Sequence, residues 1–179
     1  MADLAPAAPV TKAANRIRAG LAANSDFQAW CDAADLAEAL THIPLGVLTE
    51  SDVDALVWPY VEILSGDEGE THTQVAVQTF TCAYTLKLFV GNTVPTEYKN
   101  DARNAWVYVE NDVDTMTGIL RAINGIEDPS GSNTLIEYNT ITLAERPAFL
   151  ARAEGSTTDR YQKFEYVLEL TFGPGPAVD

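Results

Sequence analysis

Apolar positions change their period three times along this chain, and each change marks an element boundary. Val10, Ala13, Ala14, Ile17 and Leu21 fall at three- and four-residue steps, with Lys12, Arg16 and Arg18 elsewhere on the cylinder. That spacing predicts a helix over Thr11–Ala23. Residues 26–40 (Asp26, Phe27, Trp30, Cys31, Ala34, Leu40) also read as helical and run into the strand-like Thr41-His42-Ile43-Pro44. From Ala55 the period becomes two. Leu56–Leu64 reads as a strand, with Pro59 marking an edge or the start of pairing, because proline cannot donate to a ladder. Ser65–Thr73 reads as a polar turn with two glycines. Gln74–Val90 follows, in which Phe80, Cys82, Tyr84, Leu86, Leu88 and Val90 alternate with polar or small residues.

A strand over all of Gln74–Val90 would extend roughly 55 Å at about 3.3 Å per residue, longer than strands usually run. Its apolar phase also slips, since Val75 and Val77 have the opposite parity from Phe80 onward. Either a bulge re-aims the strand, or the hairpin over 61–78 leaves its own core and lies against something else.

The longest element is a helix over 97–124. Tyr98, Ala102, Ala105/Trp106, Val109, Val113, Met116, Leu120 and Ile123 form one stripe, Thr96 is placed to cap it, and Gly125 closes it. A stripe like this can form a coiled-coil seam or pack on a sheet; the Trp favours the sheet. Leu135–Leu143 is the next strand, Glu145–Thr158 an irregular excursion, and Tyr161–Phe172 the closing strand. Phe164, Tyr166, Leu168, Leu170 and Phe172 point one way there, and Lys163, Glu165, Glu169 and Thr171 the other, towards water. The expected architecture is α+β: an antiparallel four-stranded sheet covered on one face by the long amphipathic helix, with an N-terminal helix and a projecting hairpin. Residues 1–9 are expected to be a flexible N-terminus, 10–172 a single structural domain, and 173–179 a Gly/Pro-rich tail.

Composition narrows the functional classes. The 179 residues are 46% hydrophobic, enough for a core, and carry a formal net charge of −15. Phosphate contact rests on Lys and Arg, so this balance disfavours nucleic-acid coating and anionic membrane surfaces. No apolar run approaches the length of a membrane span, and Met1-Ala2-Asp3 opens acidic rather than basic. Cys31 and Cys82 stand alone in apolar surroundings and read as small buried hydrophobes, which fits a reducing compartment.

Candidate chemistry is sparse. His42 and His72 each lack a neighbouring cysteine or second histidine, so zinc-ligand spacing is absent. Asp67-Glu68-Gly69-Glu70-Thr71-His72 has oxygen ligands but not the order of a calcium loop, and reads as a solvated turn. There is no G-x-S-x-G elbow, and Gly66 and Gly69 are flanked by carboxylates that would repel phosphate. The expectation is a non-enzyme with no catalytic, cofactor or metal residues; a small hydrolase or ligand-binding module is the competing class.

The order of elements resembles the tail terminator (tail completion, or neck) proteins of long-tailed bacteriophages over roughly Leu36 to Phe172. The resemblance rests on Leu56-Val57-Trp58-Pro59-Tyr60-Val61-Glu62-Ile63-Leu64 with its acidic turn, and on the strand reaching Leu86-Lys87-Leu88-Phe89-Val90. It continues through the helix over 97–124, the excursion Arg146-Pro147-Ala148-Phe149-Leu150, and the closing Arg160–Phe172. The stretch 24–44 is longer and more helical than the family's usual short strand. The resemblance implies a virion structural protein that assembles as a homo-oligomeric ring, commonly a hexamer, on the last ring of tail tube protein. Such a ring stops tail growth and joins the head-side connector or stopper protein; DNA passes its lumen without specific binding. A head completion protein of the neck is the alternative within the same class. Asp67, Glu68, Glu70, Val75 and Val77 are the candidate assembly interface, on the expectation that the hairpin tip at Ser65–Thr73 packs on a neighbouring subunit or tube ring.

Overall fold

The computed structural model describes residues 9–46, 56–66, 71–76, 79–95, 102–127, 129, 136–150 and 161–172. The elements, in chain order, are α1 (Pro9–Ala23), α2 (Ser25–Trp30), α3 (Leu36–Thr41), β1 (Tyr60–Ser65), β2 (Thr71–Ala76), β3 (Thr79–Thr93), α4 (Ala102–Ile123), β4 (Thr140–Leu150) and β5 (Tyr161–Phe172). The sheet is antiparallel, with four positions across in the order β1-β3-β5-β4; β2 also pairs with β3. One long helix lies against it, so the architecture is the expected α+β one.

The region 24–41 is two short helices rather than one. Asn24 Oδ1 accepts from the amides of Asp26 and Phe27 and starts α2, and Asp35 Oδ1 accepts from Glu38 N and starts α3. Between them Asp32 takes φ 55°, a left-handed conformation that Asp tolerates better than most residues and that ends α2. Downstream, the residues that read as strand-like pair with the sheet. Val61 N donates to His42 O, Ile63 N to Pro44 O and Gly46 N to Ile63 O, so this stretch runs parallel along β1 and covers that edge. Buried His42 locks the junction, its Nδ1 donating to Pro59 O at 2.6 Å. Arg18 binds the carbonyls of Leu40 and Ile43 at the end of α3.

The core lies between the helices and one face of the sheet. Ile17 and Leu21 of α1 meet Val61 and Ile63 of β1, the even-numbered Leu86, Leu88 and Val90 of β3, and Phe164, Tyr166 and Leu168 of β5. Met116, Ile119, Leu120 and Ile123 of α4 complete it. Tyr166 ties helix to sheet by hydrogen bonding as well: its hydroxyl donates to Val113 O at 2.9 Å and accepts from Thr117 Oγ1 at 2.7 Å. Gly125, at φ +80°, ends α4, and Asn124 then clamps the backbone of Tyr138 through both its amide atoms.

Three expectations need correction. Trp106 does not belong to the core stripe: Ala105 is the buried residue of that pair, and the indole is 56% exposed. The strand expected at Leu135–Leu143 begins later and continues through Arg146 and Pro147. Its register against β5 shifts between Leu143 and Glu145 and again between Glu145 and Ala148. These shifts, on an edge strand, are where a sheet accommodates a proline. Finally, the second face of β5 is not simply wet, because Glu165 is only 8% exposed and forms an ion pair with Lys87 at 3.5 Å, diagonally across β3. Thr96 and Tyr98, placed by the sequence in the first turn of the long helix, and both chain termini lie outside the described residues.

Burial also perturbs the tyrosines. Desolvation raises the hydroxyl pKa of Tyr60 and Tyr138 above the usual value and pushes that of Tyr166 up to about 12, the last despite the Thr117 hydrogen bond. A phenol whose folded-state pKa is raised contributes stability that is complete below its unfolded pKa, about 10, and is lost as pH rises through the folded value. Stability should therefore fall between about pH 10 and 12. A titration by tyrosinate absorbance should show these side chains ionising late, together with unfolding. Early, reversible ionisation of all seven tyrosines with the fold intact would contradict their burial. Tyr138 adds a second expectation, since its buried hydroxyl makes no hydrogen bond among the described residues. Tyr138→Phe should leave thermal stability unchanged or raise it by up to about 1 kcal/mol, because nothing is left unpaired when the oxygen goes. A clear loss would reveal a partner for that oxygen.

Candidate assembly surfaces

Backbone hydrogen bonding decides which parts of the sheet remain open. On β3 the residues facing β1 run from Gly91 (opposite Tyr60) to Leu86 (opposite Ser65), and those facing β2 run from Ala83 (opposite Thr71) to Thr79 (opposite Ala76). β1 and β2 therefore lie along the same side of β3, one after the other. Gly66 N still donates to Thr85 O at 2.9 Å. On β3 only Tyr84 separates the positions facing Gly66 and Thr71, whereas on the other strand the segment 67–70 separates them.

The acidic segment is thus an insertion between two collinear strands and not the reversal of the hairpin. The chain reverses between Ala76 and Thr79, which are register partners. This placement explains the apolar phase slip by two local causes. The register shifts between Gln74 and Ala76, making Val75 the extra residue of a bulge, and the reversal follows within two positions. Of the candidate interface residues, Val75 lies in β2 at this bulge; Asp67, Glu68, Glu70 and Val77 lie outside the described residues.

A projecting hairpin does exist, at a different place from the one expected. Among the described residues β5 pairs with β3 from Cys82 (opposite Phe172) onward. Beyond it, Thr73↔Thr81, Gln74↔Phe80 and Ala76↔Thr79 form an extension that is two-stranded among the described residues. Residues 60–65, by contrast, sit in the body of the domain, paired with β3 on one side and with residues 42–46 on the other.

Midway along the long helix, a buried polar cluster holds three elements together. Asp112 is 7% exposed; its Oδ1 accepts from Trp30 Nε1 of α2, and its Oδ2 accepts from Asn92 Nδ2 of β3 at 3.2 Å. Asn92 Nδ2 also reaches Tyr108 Oη at 3.4 Å. The sequence did carry a signal for this cluster: Asp112 falls inside the apolar stripe of its helix, where an acid must have partners. Between α2 and α4 the surface holds an open depression of about 440 Å³ flanked by Asp26, Trp30, Asp114 and Gly118. Among the described residues no group of three His, Cys, Asp or Glu is placed to hold a metal ion. Free Cys31 is buried, and burial raises its thiol pKa, the opposite of activation. Neither the family models nor the curated proteins contain a match to this chain.

Proposed function

We propose that this chain is a structural protein of a bacteriophage virion, a tail terminator that caps the tail tube as a homo-oligomeric ring and joins it to the head-side connector. The observation that carries the reading is the extension formed by β2 and the start of β3. A two-stranded ribbon is marginal in water by itself, and a strand edge without a partner among the described residues invites pairing with another chain. The resemblance to tail terminators rests on an order of helices, two strands, long helix and two strands; the fold has that order with the first strand divided into β1 and β2, which lie end to end along β3. The net charge of −15 suits a ring whose lumen must let DNA pass without holding phosphate.

Imaging and sedimentation of the purified full chain test the reading. Rings with a central channel that bind the ends of tail tubes are expected, with tube ends left uncapped when the protein is missing. A monomer under all conditions would overturn it, and rings that bind the capsid connector but never tubes would assign the head completion role instead. Hydrogen exchange adds a residue-level expectation. Amides of Val61 and Ile63 should be protected in subunit and assembly alike, because their acceptors are within the chain. Amides around Thr73–Thr81 should gain protection only on assembly. Equal protection of that extension in both states would remove the observation on which the reading stands.

A further inference from the structure

The depression of about 440 Å³ between α2 and α4 is built from two helical pairs. Asp26 and Trp30 stand at i and i+4 on α2, and Asp114 and Gly118 at i and i+4 on α4, so each pair shares one face of its helix. The indole is held in the wall it forms: its N–H donates to buried Asp112, and its ring packs against Phe27 at a centroid separation of 5.5 Å. Thr115, also lining the depression, turns its hydroxyl back onto its own helix and donates to Asn111 O at 2.8 Å. Asp26 and Asp114 are exposed, and among the described residues neither carboxylate has a hydrogen bond or an ion pair. No residue lining the depression is basic.

Gly118 sets the depth of the depression. Glycine inside a helix is less stable than alanine, so a position that keeps it needs a reason. Gly20 of α1 has one, since a Cβ there would stand 2.6 Å from Ile136 Cδ1. A Cβ on Gly118 would meet nothing within 4 Å, so packing among the described residues does not call for glycine at that position. The missing side chain leaves open space in a depression walled by a fixed indole and flanked by two carboxylates.

We infer that the depression is the docking site for an arginine side chain of a basic partner protein. A guanidinium is planar: its face stacks on an indole while its edge donates to carboxylates, and Trp30, Asp26 and Asp114 offer both kinds of contact. The depression is open to solvent and does not enclose a free small molecule, which favours a side chain delivered by another protein. Charge complementarity decides the bearer. Each copy of this chain carries −15, so a second copy is a poor complement to two unpaired carboxylates and a basic protein a good one. The inference holds for the chain alone or assembled, and does not depend on the ring.

Nuclear magnetic resonance of the full chain, titrated with N-acetylarginine methylamide, tests the site. Saturable shifts should appear at the Trp30 indole N–H and the Gly118 amide, and the citrulline counterpart, similar in shape but uncharged, should produce none. Replacing both carboxylates, with Asp26→Asn and Asp114→Asn together, should weaken binding about tenfold. Gly118→Leu should melt no lower than the parent, because the position is exposed helix with free space, yet bind at least about tenfold more weakly. A glycine kept for the fold alone would not separate stability from binding in this way. Any rings that the parent forms should persist in Gly118→Leu. No saturable shift, an equal response to the citrulline compound, or undiminished binding by Gly118→Leu overturns the inference and leaves the ring reading standing. Loss of rings in Gly118→Leu would make a second copy the occupant and overturn the inference as well. A parent that never assembles overturns the ring reading alone.

Discussion

Replacing Leu168 by Ala is expected to lower the unfolding free energy by about 2–5 kcal/mol, while replacing its neighbour Glu169 by Ala should change it by no more than about 0.5 kcal/mol. Leu168 is fully buried on β5, with Leu86 of β3 opposite on one side and Ile141 of β4 on the other. Truncation there removes contacts in the middle of the sheet's apolar face, and three strands held in register cannot easily collapse into the space. Glu169 points to the opposite face and is exposed. Urea unfolding of both variants checks the pair, with equal slopes required before the midpoints are compared. Sensitivity at Glu169 in place of Leu168 would mean a register wrong by one residue, and every inward and outward assignment on β5 would reverse with it.

Asp112→Ala should cost about 1–3 kcal/mol, because it removes the acceptor from Trp30 Nε1 and from the buried Asn92 amide. The loss should be local as well as global. α2 has only six residues and is held by buried Phe27, which packs against Trp30, and by this indole contact. Hydrogen exchange of the amides around Phe27–Cys31 should therefore accelerate more than that of β3 or β5. Asp114→Ala, two positions on and exposed, should be nearly neutral and serves as the control. An Asp112 variant as stable as the parent, with α2 amides unchanged, would show that Phe27 alone holds the short helix in place.

The elements with strong periodicity were legible in the sequence because their pattern reports one face of one element. α1, α4 and β5 each present a regular apolar stripe to the same core, and Ile17, Met116 and Phe164 could be assigned without knowing what they would touch. Pro59 just before β1 and Gly125 just after α4 mark boundaries for backbone reasons that do not depend on neighbours. Trp106 was misplaced for a related reason. At the edge of a stripe, Ala105 and Trp106 compete for one position, and hydrophobicity alone favours the larger residue. The smaller one is buried because Val94 and Val109 pack closely at that level.

What the sequence by itself determined is the α+β class, the end of the long helix, the closing strand, and most of the inward face of each. Only the tertiary structure decided where the hairpin reverses. An acidic, glycine-containing segment such as 66–71 has the composition of a turn, yet strand pairing is a relation between distant residues. The ladder on β3 resumes after that segment and carries the reversal to the far side of Ala76. It also decided that residues 42–46 close one edge of the sheet, that β2 has no second neighbour among the described residues, and that Asp112, Asn92 and Trp30 share a buried site. Each of these depends on which residues meet across the fold, and periodicity along a single strand or helix contains no information about its partner.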